Sequence, residues 1–182
     1  KSEIRNKILH IRKKNYSKYL FIKSNKLIKL LKTIKLRSNN IGAYYPFNYE
    51  INIINTLKLL EKKNFAISLP KISQNKKMDF YQWSIKDPLK INKYGIPETI
   101  SKKKVYPNIL LIPLVAYDNK LNRLGYGGGY YDRYISRFEK KKKLIKIGVG
   151  FSFQRVKSLP TNKYDKKLDY LITEKGLIKW KF

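Results

Sequence analysis

The feature that most constrains the fold is the apolar run NILLIPLVAY, which occupies residues 108–117. A strand that is apolar at successive positions has no polar face to expose to water, so it must lie in a sheet that is covered on both sides. A second run of this kind, KLIKIGVGF, occupies residues 143–151. The two runs together predict a sheet whose central strands are buried on both faces.

The rest of the chain alternates between helical and strand patterns. Apolar residues spaced three, four and seven apart predict helix from residue 1 to about residue 37. The strand at residues 65–70 is expected to stop at Pro70. The other predictions are a helix within residues 49–64, a helix from about Gly128 to Lys140, strands at residues 39–47, 78–83 and 168–173, and a loop at residues 86–104.

Strands that alternate with helices predict an α/β fold, with a mostly parallel sheet and helices on both faces. The sequence contains no internal repeat and no linker, so residues 1–182 are expected to form a single domain. Ligands of such folds bind beyond the carboxyl ends of the strands. A glycine-rich segment follows the strand at residues 108–117 and is therefore a candidate binding loop.

The composition excludes several classes of site. The chain has no cysteine and a single histidine, His10, to which no role is assigned. These counts exclude a disulfide framework, a thiol nucleophile, a zinc cluster and any Ser-His-Asp triad without His10. The longest apolar stretch is shorter than the roughly 20 residues of a membrane span, and the N-terminus lacks the apolar core of a signal peptide. We therefore expect a cytoplasmic protein with no membrane partner.

The formal net charge of +30 allows two interpretations. One is a nucleic-acid or anionic membrane partner. The other is compositional drift, because only seven of the 42 basic residues are arginine and the residues of A+T-rich codons, Lys, Asn, Ile and Tyr, crowd the whole chain. The basic residues are also dispersed, which favours drift. We expect no specific nucleic-acid partner, and a basic nucleic-acid-binding protein is the alternative.

The segment RLGYGGGYYDR, at Arg123–Arg133, contains four of the nine glycines. It is not a dinucleotide fingerprint, whose third glycine would fall at Tyr130, and it is not a Walker loop, whose lysine would fall at Tyr131. The structural alternative is a tight turn in which Asp132 stabilises the first turn of the following helix. Three consecutive glycines lose much chain entropy on folding, so a functional role is favoured.

The chemistry that this segment offers is phosphate binding. Glycines let backbone N–H groups approach a ligand closely, and N–H groups that lead into a helix N-terminus form an anion site. Arg123 and Arg133 add guanidinium groups suited to phosphate. Asp132 is a carboxylate that could hold Mg²⁺, which prefers carboxylates together with phosphate oxygens.

The longer stretch LIPLVAYDNKLNRLGYGGGYYDRYI, at residues 111–135, resembles the signature of the 5-formyltetrahydrofolate cyclo-ligase family, also called 5,10-methenyltetrahydrofolate synthetases. It departs from the signature at Tyr117, where Phe is usual, and at Leu121, where Gly is usual. The position of Tyr126 is one that the signature leaves open. Weaker similarities over nearly the whole length are Lys1 with Arg5, YYPFNYE with Glu50, Leu69–Pro70, MDF, GIPE, Gln154 and LPTNKYDKKLDYLIT.

The resemblance implies a Rossmann-like fold of the NagB/RpiA/CoA transferase type and an ATP- and Mg²⁺-dependent ring closure. In that reaction, the formyl oxygen of 5-formyltetrahydrofolate attacks the γ-phosphate of ATP. The nitrogen at position 10 traps the resulting iminium-like phosphate, and loss of phosphate leaves 5,10-methenyltetrahydrofolate, with ADP as co-product. The implied partners are 5-formyltetrahydrofolate and ATP, and the protein is expected to act as a monomer or small homo-oligomer. Another ATP- or phosphate-using enzyme with a similar glycine loop is an alternative.

The resemblance also implies roles for individual residues. Arg123 and Asp132 are the expected catalytic residues, and Asp132 is also expected, with Asp165, to hold Mg²⁺. Tyr45 and Glu50 are expected to contact the folate. The residues expected to bind ATP are Lys1, Arg5, Arg123, Leu124, Gly125, Tyr126, Gly127, Gly128, Gly129, Tyr130 and Tyr131.

Some of these assignments have plain structural alternatives. Lys1 and Arg5 are spaced i, i+4 on one helix face, and they could be two solvated basic residues. Glu50 could be an acid in the first turn of a helix. Asp165 lies in KYDKK and could be a surface charge partner.

Overall fold

The computed structural model describes residues 1–34, 39–73, 75, 77–93, 95–141 and 143–179. In these ranges, the helices are α1 (Ser2–Asn15), α2 (Ser24–Thr33), α3 (Ile54–Lys62) and α4 (Tyr130–Phe138). The strands are β1 (Asn40–Gly42), β2 (Ala66–Ile72), β3 (Met78–Gln82), β4 (Leu89–Ile91), β5 (Pro97–Thr99), β6 (Lys104–Val105), β7 (Ile109–Pro113), β8 (Ala116–Tyr117), β9 (Arg123–Leu124), β10 (Ile145–Val149), β11 (Tyr170–Thr173) and β12 (Gly176–Lys179). No helix in this described part of the chain combines the length and the apolar character that a membrane crossing requires.

Eight of the described strands form one sheet, in the order β12-β11-β10-β7-β1-β2-β3-β6. The five strands from β11 to β2 pair in parallel, and the antiparallel strands β12, β3 and β6 lie at the two edges. Ile41 at the centre aligns with Ile67 of β2 on one side and with Ile109 of β7 on the other. This arrangement confirms the predicted α/β fold with a mostly parallel sheet.

The helices cover both faces of the sheet, as the doubly apolar run predicts. Ile109 and Leu111 of β7 belong to a core that contains the buried residues of α2 and α3. Leu110 and Ile112 belong to the opposite core, which contains Ile135 of α4. Burial of apolar side chains on both faces is the dominant favourable contribution to folding.

The N-terminal helical prediction is wrong in its middle. The pattern predicts helical structure from residue 1 to about residue 37, but an extended segment separates α1 from α2; residues 35–37 lie outside the described residues. In this segment Phe21 forms a β-bridge with Asn52, and Ile22 is buried. Pairing with a distant part of the chain therefore overrides the local helical period.

The predicted loop at residues 86–104 is also wrong in part. It contains the antiparallel hairpin of β4 and β5 and the edge strand β6. Two of the three residues of β4 are exposed. Such a strand carries no buried, alternating face that the sequence pattern could reveal.

Pro70 does not end β2, which continues to Ile72. Pairing with β1 ends at Ser68, whereas pairing with β3 continues and places Pro70 opposite Phe80. Beyond Ser68 the strand is paired with β3 alone, so proline behaves there as it does in an edge strand, where its missing N–H is tolerated.

The helix α1 packs over the chain that follows β7. Its residue Ile8 is buried in a third cluster with Val115, Ala116, Leu124 and Leu159. This packing brings one face of α1 against β8 and β9, which lead into the glycine-rich segment.

Candidate active site

A cavity of about 970 Å³ opens where β1, β2 and β7 end. This volume is at the upper end of the roughly 300–1,000 Å³ of small-molecule sites. The cavity is lined by the start of α1, the turn after β1, the β4–β5 hairpin, the segment at residues 162–165, the first turns of α4 and the glycine loop, defined here as residues 125–129. It therefore lies at the carboxyl ends of parallel strands, as the fold class predicts.

The structure brings every sequence-predicted site residue to this one cavity. Lys1 and Asp165, which are far apart in sequence, meet there. The predicted residues that line it are Lys1, Arg5, Tyr45, Glu50, Arg123, Leu124, Gly125, Tyr126, Gly127, Gly128, Gly129, Tyr130, Tyr131, Asp132 and Asp165. Their individual roles stay predictions, because a shared cavity does not assign a ligand to each residue.

The glycine loop needs glycine for two different reasons. Gly127 and Gly129 have φ angles of 101° and 63°, a region that other residues rarely adopt. A Cβ atom at Gly128 would lie 2.4 Å from the ring of Tyr130. Gly125 differs from these, because its φ is not positive and a Cβ atom there would meet no described atom within 4 Å. The fold of the described chain therefore does not explain why Gly125 is glycine.

The start of α1 holds the glycine loop in place. Arg5 Nε donates a 2.9 Å hydrogen bond to the carbonyl oxygen of Gly125. The Arg5 guanidinium also lies beside Gly127, where a Cβ atom would come within 3.3 Å of it. One turn earlier, Lys1 Nζ lies 2.5 Å from Asp165 Oδ2. The predicted i, i+4 pair thus faces the cavity rather than open solvent.

Asp132 is held by Arg123 and by the backbone of residue 166. Its Oδ1 atom lies 2.9 Å from Arg123 Nη2 and accepts a 2.9 Å hydrogen bond from the Lys166 N–H. Arg123 also donates to the Lys166 carbonyl, and its side chain is only 5% exposed. The first-turn carboxylate of α4 is thus oriented by tertiary contacts.

Asp165 is oriented in a similar way. Its Oδ2 atom accepts a 2.7 Å hydrogen bond from the Asn162 N–H as well as the bond from Lys1. Burial raises the pKa of Asp165, but the hydrogen bonds from Lys1 and Asn162 and the charges of Lys1 and Arg123 outweigh it, so the pKa is lowered overall. The carboxylate is therefore ionised at neutral pH.

The two aspartates fit a Mg²⁺ site in their donor chemistry. The hydrogen bonds of Asp132 fall on Oδ1 and those of Asp165 on Oδ2, which leaves the second oxygen of each without a bond from any described residue. The described residues contain no group of three or more acidic, His or Cys side chains that could hold a metal by itself. Mg²⁺ is commonly held by one or two carboxylates together with phosphate and water oxygens, so its assignment to this pair stays a prediction.

Glu50, which also lines the cavity, is held by its own turn. The Glu50 N–H donates to the Phe47 carbonyl, and the Phe47 N–H donates to Glu50 Oε2, both at 3.0 Å. The central residues Asn48 and Tyr49 have φ angles of 48° and 60°, which are the positive values of a type I′ turn. The prediction of a helical first-turn acid does not apply, since α3 begins only at Ile54.

Burial gives the Glu50 carboxyl an unusual proton affinity. It raises the pKa from the ordinary 4.5 to about 7, against the lowering effects of the Phe47 N–H, Arg12 and the Tyr126 hydroxyl. The side chain lies at the edge of the core and is 8% exposed. Glu50 can therefore be either neutral or ionised near neutral pH.

Tyr45 lines the cavity beside this turn and is partly buried. Its ring meets the ring of Trp83 edge to face, with centroids 6.4 Å apart. Trp83 itself is buried in the core, so Tyr45 is supported from behind and presents a fixed aromatic surface to the cavity.

Arg12 is a residue that the sequence analysis missed. Only 1% of it is exposed, and its Nη2 atom donates to the Asn48 carbonyl at 2.6 Å and to the Tyr126 hydroxyl. The sequence contains a signal for it. Arg12 follows the buried Ile8 by four residues, so it lies on the apolar face of α1, and it is arginine in a chain whose basic residues are mostly lysine.

The comparisons with known proteins agree with this architecture. The chain matches the model of the 5-formyltetrahydrofolate cyclo-ligase family over residues 1–174. It is 35% identical over 136 residues to the 5-formyltetrahydrofolate cyclo-ligase of Haemophilus influenzae, which covers 71% of this chain and 72% of that protein. It is 34% identical over 134 residues to the probable 5-formyltetrahydrofolate cyclo-ligase of Schizosaccharomyces pombe, which covers 65% of this chain and 66% of that protein.

Solved structures show the same fold. The structure of 5,10-methenyltetrahydrofolate synthetase from Aquifex aeolicus aligns with a TM-score of 0.73 and 30% identity, covering 100% of this chain and 93% of that chain. The 5,10-methenyltetrahydrofolate synthetase of Mycoplasma pneumoniae, at 24% identity, shares the fold with a TM-score of 0.71 over 95% of this chain and 98% of that chain. Together with the match to the family model over residues 1–174, these similarities show that the chain belongs to the 5-formyltetrahydrofolate cyclo-ligase family of enzymes.

Proposed function

We propose that this chain catalyses the ATP- and Mg²⁺-dependent cyclisation of 5-formyltetrahydrofolate to 5,10-methenyltetrahydrofolate, with release of ADP and phosphate. The observation that carries the proposal is that two chemically different sets of residues, called walls here, line one cavity. The phosphate wall consists of the glycine loop, Lys1, Arg5, Arg123, Arg133, Asp132 and Asp165. The folate wall consists of Tyr44, Tyr45 and the turn at residues 47–50.

The residues of the phosphate wall favour a nucleotide polyphosphate as the ligand. No atom of the described residues lies within 4 Å of the position that a Cβ atom at Gly125 would occupy, which leaves room for a phosphate group to approach the backbone directly. The loop leads into the N-terminus of α4, whose first N–H groups favour an anion. The positive charges of this wall add Coulombic attraction to an anion.

The folate wall supports a pterin ring. Pterins carry ring and amino N–H groups, and a carboxylate accepts hydrogen bonds from such groups. A purely apolar pocket offers them no acceptor. Glu50 offers such an acceptor in a buried setting, where a missing partner is costly. Tyr45 provides an aromatic surface next to it. A folate bound here with ATP on the phosphate wall would bring its formyl group and the phosphates into the same cavity.

In the reaction, the protein mainly positions and neutralises charge, as in other phosphoryl transfers. Arg123, fixed by Asp132 and the Lys166 carbonyl, presents a guanidinium to the transferred phosphoryl group. Asp132 and Asp165 would hold Mg²⁺, which supplies positive charge to the phosphate oxygens when bound. The formyl oxygen displaces ADP from the γ-phosphorus, and the nitrogen at position 10 then displaces phosphate from the activated carbon as it loses its proton.

An absorbance assay tests the proposed function. Purified protein with 5-formyltetrahydrofolate, ATP and Mg²⁺ should form the methenyl product and ADP in equal amounts, and EDTA should stop both. Omission of ATP should abolish the product. Formation of the methenyl compound at full rate without ATP, or ATP hydrolysis that does not depend on the folate, would contradict the proposal.

A further inference from the structure

The Tyr126 hydroxyl joins the two walls of the cavity. Tyr126 belongs to the glycine loop of the phosphate wall, but its side chain reaches the folate wall. Its hydroxyl donates a 3.1 Å hydrogen bond to Glu50 Oε1. A residue expected from sequence to bind ATP thus contacts the carboxylate expected to bind folate.

Arg12 holds the Tyr126 hydroxyl in place. Arg12 Nη2 donates to the Tyr126 oxygen, and the guanidinium carbon lies 5.4 Å from the centre of the Tyr126 ring. A hydroxyl that accepts a bond from a cation becomes a better donor, because hydrogen bonds in a chain polarise one another. The cation therefore strengthens the bond from Tyr126 to Glu50.

Burial makes this arrangement costly to break. Arg12 is 1% exposed, and a buried cation requires a nearby negative group. The carboxylate connected to it is Glu50, through Tyr126. Replacing Tyr126 by phenylalanine breaks this connection and leaves the guanidinium, among the described residues, with the carbonyl oxygens of Asn48 and Leu114 as hydrogen-bond acceptors.

Arg12 also holds the turn that carries Glu50. Asn48 and Tyr49 both have positive φ angles, and such backbone strain in residues other than glycine costs about 1–3 kcal/mol each. The 2.6 Å bond from Arg12 to the Asn48 carbonyl helps to offset this cost. The same guanidinium therefore fixes the backbone of the folate wall and the side chain of the phosphate wall.

We propose that Arg12 and Tyr126 are positioning residues that order the Glu50 turn and the glycine loop as one unit, so that each substrate strengthens the binding of the other. This inference rests on the proposed function of the two walls. A nucleotide that orders the glycine loop fixes Tyr126, and Tyr126 then fixes Glu50 for the folate. Linkage requires the reverse effect to be equally large.

The test is the affinity for 5-formyltetrahydrofolate, measured by calorimetry with and without Mg²⁺ and the non-hydrolysable ATP analogue AMP-PNP. The unsubstituted protein should bind the folate at least about fivefold more tightly when the analogue is present, which is the lower end of ordinary coupling between sites. Tyr126→Phe keeps the ring and removes only the hydroxyl, so this strengthening should be largely lost. Arg12→Met should abolish it, and Arg12→Lys, which keeps the charge, should retain part of it.

Tyr134→Phe is the matched control. It removes a buried hydroxyl that has no hydrogen-bond partner among the described residues and does not line the cavity. In this variant, the analogue should strengthen folate binding as much as it does in the unsubstituted protein. In steady-state assays, Tyr126→Phe should raise the KM of both substrates more than it lowers kcat. A general loss of folded protein would instead lower the apparent kcat and leave both KM values unchanged.

The outcomes separate this inference from the proposed function. If the unsubstituted protein binds no 5-formyltetrahydrofolate, the proposed function is wrong. If it binds both ligands without mutual strengthening, or if Tyr126→Phe keeps the full strengthening, the proposed function stands and the positioning role is wrong. Because Tyr126→Phe conserves the shape of the side chain, the test does not depend on whether Arg12→Met folds.

Discussion

The two walls of the cavity hold their carboxylates in opposite ways. On the phosphate wall, Lys1 contacts Asp165 directly at 2.5 Å, and the pKa of Asp165 is lowered although burial raises it. On the folate wall, the Tyr126 hydroxyl separates Glu50 from its cation, Arg12, and burial raises the pKa of Glu50 to about 7. The more exposed Asp165 therefore stays charged beside its cation, whereas the hydrogen bonds and the charge of Arg12 do not offset the cost of burying Glu50.

This difference suits two kinds of binding. A fixed negative charge on the phosphate wall can hold a cation among phosphate oxygens at any neutral pH. A carboxyl with a pKa near 7 on the folate wall is only partly ionised at neutral pH, and a ligand that supplies hydrogen-bond donors increases its ionised fraction. Removal of charge should therefore abolish catalysis on the first wall, and it should weaken folate binding but stabilise the fold on the second.

The largest effect is expected from Asp132→Asn. Asparagine keeps the shape and can still accept the Lys166 N–H, but it removes the charge proposed to hold Mg²⁺. We expect kcat/KM to fall on the order of a hundredfold or more, roughly 3 kcal/mol of transition-state stabilisation. The thermal midpoint should change little, and added Mg²⁺ should restore part of the activity. Turnover and thermal unfolding are measured on the same sample.

Asp169→Asn is the control for this substitution. Asp169 also accepts a backbone N–H and pairs with a lysine, Lys146, but it does not line the cavity. Its replacement should leave turnover unchanged. The opposite pattern for Asp132→Asn, a lower midpoint with nearly normal turnover, would show that Asp132 has only a structural role.

The next largest effect is expected from Glu50→Gln. The substitution replaces a charged acceptor with a neutral one on the folate wall. A hydrogen bond to a charged group is worth about 1.5–3 kcal/mol, so the KM for 5-formyltetrahydrofolate should rise on the order of tenfold to hundredfold, and the KM for ATP much less. A rise confined to the KM for ATP would show that the proposal assigns Glu50 to the wrong substrate.

The smallest effect is a gain in stability from the same substitution. The folded state holds the Glu50 proton up to a pKa of about 7, whereas an ordinary carboxyl loses it at 4.5. Glu50 therefore makes the fold less stable as the pH rises from 4.5 to 7, and the loss persists above 7. Glu50→Gln should raise the free energy of unfolding at pH 8 on the order of 2 kcal/mol, with little change at pH 4.5. Urea unfolding at both pH values measures it.

Two other carboxylates sharpen this comparison. Glu174→Gln removes an acid that holds the backbone of Ser152 outside the cavity, and it should give no gain in the free energy of unfolding at pH 8.

The effect of Asp165→Asn on the free energy of unfolding should have the opposite sign. Because its folded pKa is lowered, Asp165 stabilises the fold above its ordinary pKa of 3.8, and this contribution is lost as the pH falls through the lower value. A partly exposed pair such as this one contributes well under about 1 kcal/mol.

The centre of the fold could be predicted from local sequence, and parts of its periphery could not. The run at residues 108–117 is apolar on both faces, and β7 is buried on both faces, because the composition of a strand reports directly how much of it can meet water. The segment between α1 and α2 and the β4–β5 hairpin were predicted wrongly. Their conformations depend on pairing with distant residues, such as Phe21 with Asn52, which local periodicity does not report.

The sequence by itself determined the family, the doubly covered sheet and the glycine loop, because contiguous residues encode each of these features. Only the tertiary structure decided that Arg12, Glu50 and Tyr126 form one unit, since their contacts join residues 76 and 114 positions apart. It also decided the proton affinity of Glu50. That property depends on how much water the whole fold excludes from one carboxyl group, and no short stretch of sequence contains this information.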